Sequence, residues 1–239
     1  MKEENTIVSA FFYNVNSITK DYYNYGRFLV QSNVKKIIFV DEKMFQEIGN
    51  DYNQENTKII KANHQKYLHT LCHDIKKFDI RGNSMKDTLD YIFLMNYKTE
   101  WIRDAIEWNP FHTNYFIWID FGLKHVSKLK NQEFVEKINQ LQYKIYDTIR
   151  IAGIWNMEKT TNKDIYKDVF WYFAGGIFGG RKEELIQFAK DVKEKCIKVI
   201  REKETLMWEV NIWYLVYKDN SSLFSIYSAD HNDSLILNY

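Results

Sequence analysis

The chain has few of the residues that crosslink or interrupt a fold: two cysteines, Cys72 and Cys196, and one proline, Pro110, among 239 residues. It contains no C-x-x-C pair, which excludes a zinc ribbon or a disulfide framework and favours a reducing compartment. The net charge of +1 lacks the strong basic excess that is typical of nucleic-acid binding. No apolar run reaches the roughly 20 residues that cross a bilayer.

The start of the chain, residues 1–6, is polar and acidic and lacks the basic and then apolar pattern of a signal peptide. We therefore expect a soluble cytoplasmic protein that binds no nucleic acid; peripheral association with a membrane stays open. No repeat or low-complexity linker divides the chain, so residues 1–239 are predicted to form a single domain. Aromatic residues make up 17% of the chain, which suits a tightly packed core or ring platforms for sugars and bases.

Short apolar runs alternate with amphipathic stretches, a pattern typical of an α/β domain. A strand over 6–12, a helix over 21–31 and a strand over 36–41 have the spacing of a βαβ unit, which predicts a mostly parallel sheet. Segment 67–80 and the C-terminal tail stay unassigned. The remaining predicted strands are 56–62, 115–119, 170–178 and 223–227. The remaining predicted helical segments are 84–109, as one helix or two, 131–150, 182–203 and 207–217.

One buried strand, 115–119, ends abruptly in a carboxylate, Asp120, followed two residues later by Gly122. Ligands of open α/β sheets collect at the carboxyl ends of strands, so Asp120 is a candidate ligand of Mg²⁺ or Mn²⁺. A turn or helix-cap aspartate is the structural alternative. Asp-Phe-Gly also occurs in protein kinases, but the chain has neither a His-Arg-Asp loop nor a Gly-x-Gly-x-x-Gly loop.

Segment 170–180 holds four of the nine glycines, including Gly175 and Gly176. It lacks the Gly-Lys-Ser/Thr ending of a Walker loop, although a phosphate cradle of another kind stays possible. Paired glycines that flank two apolar residues favour bare backbone against which a flat ligand can lie. A structural bulge is the alternative.

Glu209 stands in an otherwise apolar segment, 206–214, where a charged side chain needs a partner or a task. Apolar neighbours would raise its pKa into the range useful for acid–base chemistry. The alternative is an exposed glutamate on an amphipathic helix.

Five further residues are candidates of lower weight. Asp230, His231 and Asp233 are metal-capable, and they would form a site only together with Asp120. Asp41 ends a predicted strand and could bind a ribose or a base edge, and Lys98 could meet a phosphate.

Several of these segments together resemble the WlaTC/HtrL (YibB) family of bacterial glycosyltransferases. The likeness covers most of the chain. Its specific part is Asn-Pro-Phe at 109–111 followed by Phe-Ile-Trp-Ile-Asp-Phe-Gly at 116–122, after the strands at 6–12 and 38–41.

The resemblance implies a GT-A (Rossmann-like) glycosyltransferase fold, with a mixed, mostly parallel sheet flanked by helices. It implies a nucleoside-diphosphate sugar as donor, with a UDP-sugar favoured, and a cell-surface glycan or glycolipid acceptor such as lipopolysaccharide or lipooligosaccharide. The residues expected to bind the donor are Ala10, Phe11, Asp41, Lys98, Asp120, Gly175 and Gly176.

A second likeness, to the blood-group type of sugar transferases, concerns segment 170–180 and Trp208-Glu209. In those enzymes an aromatic-Gly-Gly-Phe-Phe-Gly-Gly strand lines the sugar site, and a glutamate after the next helix is the catalytic carboxylate. By this match Gly175 and Gly176 line the sugar site, and Glu209 is the catalytic residue.

The chain departs from the Asp-x-Asp motif with which GT-A enzymes usually hold Mn²⁺ on the diphosphate, because Gly122 replaces the second acid. The resemblance implies that Asp120 binds Mn²⁺ or Mg²⁺ together with a distant ligand, for which His231 is favoured, or that metal dependence is weaker. A cation would neutralise the leaving diphosphate. Two other functions stay open: a non-catalytic nucleotide- or glycan-binding domain, and a nucleotide-sugar hydrolase.

Overall fold

A computed structural model of the chain describes residues 4–13, 19–52, 54–84, 86–156 and 161–239. The polar start that argues against a signal peptide includes residues 1–3, which lie outside this part. Within it, no helix has both the length and the apolar character needed to cross a bilayer. Both cysteines are free.

The described residues form one seven-stranded sheet. Its strands are β1 Asn5–Phe11, β2 Lys36–Val40, β3 Thr57–Lys61, β4 Tyr115–Ile119, β5 Ile149–Gly153, β6 Phe173–Arg181 and β7 Phe224–Ser228. Their order is β3-β2-β1-β4-β6-β5-β7. β6 is antiparallel to both of its neighbours, and the other pairs are parallel. The predicted α/β class with a mixed, mostly parallel sheet is confirmed.

Helices cover both faces of this sheet. The α-helices of the described part are α1 Thr19–Gln31, α2 Glu42–Tyr52, α3 Tyr67–Thr70, α4 Leu89–Asn96, α5 Lys98–Trp108, α6 Asn131–Leu141, α7 Lys182–Lys203, α8 Glu209–Asp219 and α9 Ser234–Leu237. Short 3₁₀ helices lie at Cys72–Asp74, Leu123–Val126 and Ser221–Leu223.

The two faces carry separate cores because successive strand residues point to opposite sides. In β1, Val8 belongs to the core that includes residues of α4, α5, α7 and α8, whereas Ile7 belongs to the core that includes residues of α1, α2 and α6. All five residues of β2 are buried, as expected for a central parallel strand that is covered on both sides. Because helices cover both faces of the sheet, a binding site is expected at the edge where the parallel strands have their carboxyl ends.

The predicted helix over 131–150 is wrong beyond Leu141, where α6 ends, and its last residues belong to β5. The reason lies far away in sequence. The side-chain amide of Asn5, in β1, donates hydrogen bonds to the carbonyl oxygens of Leu141 at 3.0 Å, of Gln142 at 3.3 Å and of Lys144. These bonds satisfy the last carbonyls of the helix and turn the chain toward β5.

Other boundaries differ less. The helical segment predicted over 84–109 begins at Leu89 and ends at Trp108, and it includes residue 85, which lies outside the described part. Of the two alternatives the structure has two helices, α4 and α5, divided at Tyr97. The strand predicted at 170–178 runs three residues later, as β6. Helix α2 was not predicted, and the unassigned tail contains α9.

Candidate active site

The site lies where β4 ends beside β6. Because β6 is antiparallel, its first half runs next to the carboxyl end of β4, and Ile119 pairs with Ile177. The backbone N–H of Asp120 donates to the carbonyl oxygen of Gly176 at 2.9 Å. This register sets the Gly175-Gly176 backbone directly beside the Asp120 carboxylate.

The ammonium group of Lys98 joins this strand edge to two helices. Lys98 is the first residue of α5 and Glu209 is the first residue of α8. The Lys98 Nζ lies 2.8 Å from Glu209 Oε1, 2.9 and 3.0 Å from the two carboxylate oxygens of Asp120, and 3.0 Å from the carbonyl oxygen of Gly175. Gly176 lies beside these groups as well. Five residues predicted to bind the donor or to catalyse the reaction are therefore neighbours here: Lys98, Asp120, Gly175, Gly176 and Glu209.

These three charges are unequally buried. The Lys98 side chain is 2% exposed and that of Glu209 is 8% exposed, whereas that of Asp120 is 35% exposed. Burial disfavours the ammonium, but the attraction of the two carboxylates outweighs it and raises the pKa of Lys98 above its ordinary value. Lys98 is therefore protonated at neutral pH.

Asp120 has a further partner that sequence reasoning missed. The indole N–H of Trp118 donates to Asp120 Oδ1 at 2.7 Å. Residues two apart in a strand share a face, which is a signal that could have found this pair. The bond holds the carboxylate in one orientation at the strand end.

The missing side chain at Gly175 is required by packing. A Cβ at this position would stand 2.4 Å from Glu209 Oε1 and 3.1 Å from Lys98 Nζ. At Gly176 a Cβ would stand 3.0 Å from Leu123 Cδ1 and 4.0 Å from Asp120 Oδ2. Gly175 therefore lets Glu209 and Lys98 pack against bare backbone, where the sequence pattern predicted a flat ligand.

A pocket of about 410 Å³ opens above these charged groups. It has the size of a small-molecule site, and such sites combine aromatic walls with a few fixed polar groups. Lys86, whose ammonium lies 5.1 Å from the Tyr91 ring centroid, also lines it. Three aromatic side chains, Tyr91, Trp171 and Trp208, stand in its wall. Trp171 and Trp208 belong to the segments that carry the second likeness, whereas no sequence pattern pointed to Tyr91.

His231 contacts Trp171, one of the residues of the pocket wall. Its ring packs edge-on against Trp171, with centroids 4.4 Å apart. Burial against neighbours lowers the pKa of His231, and the nearby His125 lowers it further. The ring is therefore neutral at pH 7.

The other two metal-capable residues of the tail have local structural partners. Asp233 accepts hydrogen bonds from the Ser127 hydroxyl and from the backbone N–H groups of Lys128 and Leu129. The Ser127 bond is the main cause that lowers the pKa of Asp233. Asp230 accepts from the backbone N–H of His231 at 2.7 Å.

The implied Mn²⁺ or Mg²⁺ does not fit this set of donors. Both oxygens of Asp120 contact the Lys98 ammonium, and one of them also accepts from Trp118. Among the residues that the structure describes, no group of three or more His, Cys, Asp or Glu side chains is arranged to hold a metal ion. The place of a cation between Asp120 and Glu209 is taken by Lys98.

The three remaining predicted donor residues lie along the same sheet edge, outside the pocket wall. Asp41 follows β2 and accepts from the backbone N–H groups of Tyr13 and of Met44, the latter at 2.9 Å, so it caps α2. Phe11 is buried and stacks on Phe121 at a centroid distance of 4.9 Å. Ala10 is partly buried against the core.

Asn211, also missed from the sequence, fixes the segment that leads into Trp171. It is fully buried on α8; its amide accepts from the N–H of Phe170 at 2.8 Å and donates to the carbonyl oxygens of Ile165 and Asp168 at 2.7 and 2.8 Å. Asn211→Ala would leave three backbone groups without partners. We expect it to lower the free energy of unfolding by about 3 kcal/mol, measured by urea denaturation.

Asn220→Ala provides the control, because Asn220 ends the same helix at the exposed surface. Its expected effect is within about 0.5 kcal/mol. Equal losses in the two variants would contradict the role of Asn211 as an anchor.

The fold and the site define an α/β protein with a small-molecule pocket at the carboxyl edge of a mixed sheet. The chain belongs to the family described as "Bacterial protein of unknown function (HtrL_YibB)", which matches residues 14–237. The resemblance to the HtrL (YibB) family drawn from the motifs is thereby confirmed.

Two further comparisons concern individual proteins. No curated protein matches the chain. Among solved structures, the apo form of mouse xyloside xylosyltransferase 1 is similar with a TM-score of 0.45 and 9% sequence identity, over 93% of this chain and 84% of that one.

Proposed function

We propose that the protein is a glycosyltransferase that moves a sugar from a nucleoside-diphosphate sugar to a hydroxyl of a glycan acceptor. The observation that carries the proposal is the buried Lys98 ammonium, which joins Asp120 and Glu209 at the floor of an open, aromatic-walled pocket. Such a pocket suits a ligand with apolar ring faces, several hydroxyl groups and a charged leaving group.

In this proposal the sugar occupies the pocket and the nucleotide extends along the sheet edge. Ligands of open α/β sheets lie outside the carboxyl ends of parallel strands, and Ala10, Phe11, Asp41 and Asp120 all lie at these ends. Asp41 is partly exposed there, and because a carboxylate oxygen can accept more than one hydrogen bond, it could also accept from a ribose or a base edge. A UDP-sugar is the favoured donor.

Glu209 is the proposed catalytic carboxylate. Glycosyl transfer needs a carboxylate on the sugar side, either to take the proton of the acceptor hydroxyl or to stabilise a positively charged sugar centre. Glu209 is held beside bare backbone at Gly175, and it lies at the N-terminus of α8, where a negative charge is favoured.

We propose lipopolysaccharide or lipooligosaccharide as the class of acceptor.

The test is a panel of UDP-, GDP-, ADP- and CMP-sugars, read first by thermal unfolding. A donor at about 100 times its Kd stabilises by about 2.7 kcal/mol, which raises Tm by about 5–10 °C. We expect one donor class to produce this shift and Asp120→Ala to abolish it. Asp147→Ala is the control, because Asp147 is exposed and contacts Tyr115 at the opposite end of β4.

Product analysis with the same donor then separates the three functions. Sugar transfer that requires an added lipooligosaccharide supports the proposal. Release of free sugar at full rate without an acceptor would identify a hydrolase, and a thermal shift without any turnover would identify a binding domain.

A further inference from the structure

The side chain of Lys98 uses its full bonding capacity inside the site. An ammonium group has three N–H donors. Lys98 directs them to Asp120, to Glu209 and to the carbonyl oxygen of Gly175, all within 3.0 Å. Its side chain is 2% exposed, so it is almost completely shielded from bulk water. The ammonium is therefore a fixed part of the site.

A divalent ion would compete for the same place. Mg²⁺ requires about six oxygen ligands at about 2.1 Å. An ion bonded to Asp120 at that distance would stand within about 5 Å of the Lys98 ammonium, where the two cations repel each other strongly in a buried site. Gly122 offers no second carboxylate to offset this repulsion.

We infer that Lys98 is the resident cation of this site and that sugar transfer here proceeds without a divalent metal. That the reaction is sugar transfer rests on the proposed function. That Lys98 supplies the cation rests on its contacts with Asp120, Glu209 and Gly175. The C1–O bond of the donor breaks with its electron pair going to the nucleoside diphosphate. The acceptor oxygen forms the new bond to C1, and the Glu209 carboxylate takes up the acceptor proton. The fixed positive charge of Lys98 stabilises the negative charge that develops on the leaving group.

The decisive experiment measures Mn²⁺ binding by the purified protein, by calorimetry and by electron paramagnetic resonance, alone and with UDP. We expect the wild-type protein to bind no Mn²⁺ and its affinity for UDP to be the same in Mn²⁺ as in EDTA. Lys98→Met removes the ammonium and leaves two carboxylates facing each other, so it should gain Mn²⁺ binding. Its turnover should fall by about 10²–10³-fold.

Lys36→Met is the matched control. Lys36 is also fully buried, but in the described part of the chain its ammonium donates to the carbonyl oxygens of Ser32 and Val34 and pairs with no carboxylate. It should therefore gain no Mn²⁺ binding. Near-ultraviolet circular dichroism establishes that both variants are folded. If Lys98→Met does not fold, the wild-type measurements alone decide.

The outcomes separate this inference from the proposed function. Saturable Mn²⁺ binding by the wild-type protein, or turnover that EDTA abolishes and Mn²⁺ restores, would overturn the inference and leave a metal-dependent transferase. Transfer that persists in EDTA would support it. If no donor is turned over, the proposed function fails, and Mn²⁺ binding still decides whether Lys98 fills the cation site.

Discussion

Glu209→Gln is expected to lower turnover of the donor by about 10³-fold, because a positioned carboxylate contributes that order of rate to proton transfer. The amide has nearly the same shape and keeps an oxygen that can accept from the Lys98 ammonium, which lies 2.8 Å from Glu209. Donor binding and folding should therefore persist. Steady-state kinetics and the donor-induced shift in Tm measure these two effects separately.

Glu100→Gln is the matched control for the loss of a buried carboxylate. Glu100 is 3% exposed on α5 and pairs with Arg103 at 2.8 Å, outside the pocket. Burial raises the pKa of its carboxyl. Because no group of the pocket contacts it, turnover should stay at the wild-type level. A similar loss in both variants would assign the effect to packing, and full activity of Glu209→Gln would remove Glu209 from the mechanism.

Gly175→Ala is expected to reduce turnover by about 10²-fold and to lower the free energy of unfolding by about 1–3 kcal/mol, the range for overpacking in a core. The new methyl group would stand 2.4 Å from Glu209 Oε1 and 3.1 Å from Lys98 Nζ. Relief of this overlap must displace the carboxylate from the ammonium. Kinetics and urea denaturation of the same preparation test both effects.

Gly176→Ala gives the contrast within the same strand. Its methyl group would meet the end of the Leu123 side chain at 3.0 Å, and it would stay 4.0 Å from Asp120. A leucine side chain can shift by a few tenths of an ångström, so the loss of activity should be smaller than in Gly175→Ala. The reverse order would contradict the packing argument.

The sequence predicted the features that depend on near neighbours. The run 115–119 is apolar and β-branched or aromatic throughout, so its assignment as a strand and the position of Asp120 at its end needed no distant residue. The βαβ unit in the first 41 residues and the bare backbone at Gly175 were likewise predicted from neighbouring residues alone. The apolar neighbours of Glu209 in the sequence left a buried and an exposed carboxylate open, and the structure decides for the buried one, with the side chain 8% exposed.

Only the tertiary structure decided what those residues meet. Lys98 and Glu209 are 111 positions apart, and nothing in the local pattern of either one records that they join across α5, α8 and the sheet edge. The end of α6 at Leu141 is set in the same way, by Asn5, which lies 136 positions away. Periodicity reports which face of an element is buried, but it does not report which other element covers that face. The sequence therefore determined the fold class and the candidate acids, and packing determined that a lysine occupies the place between them.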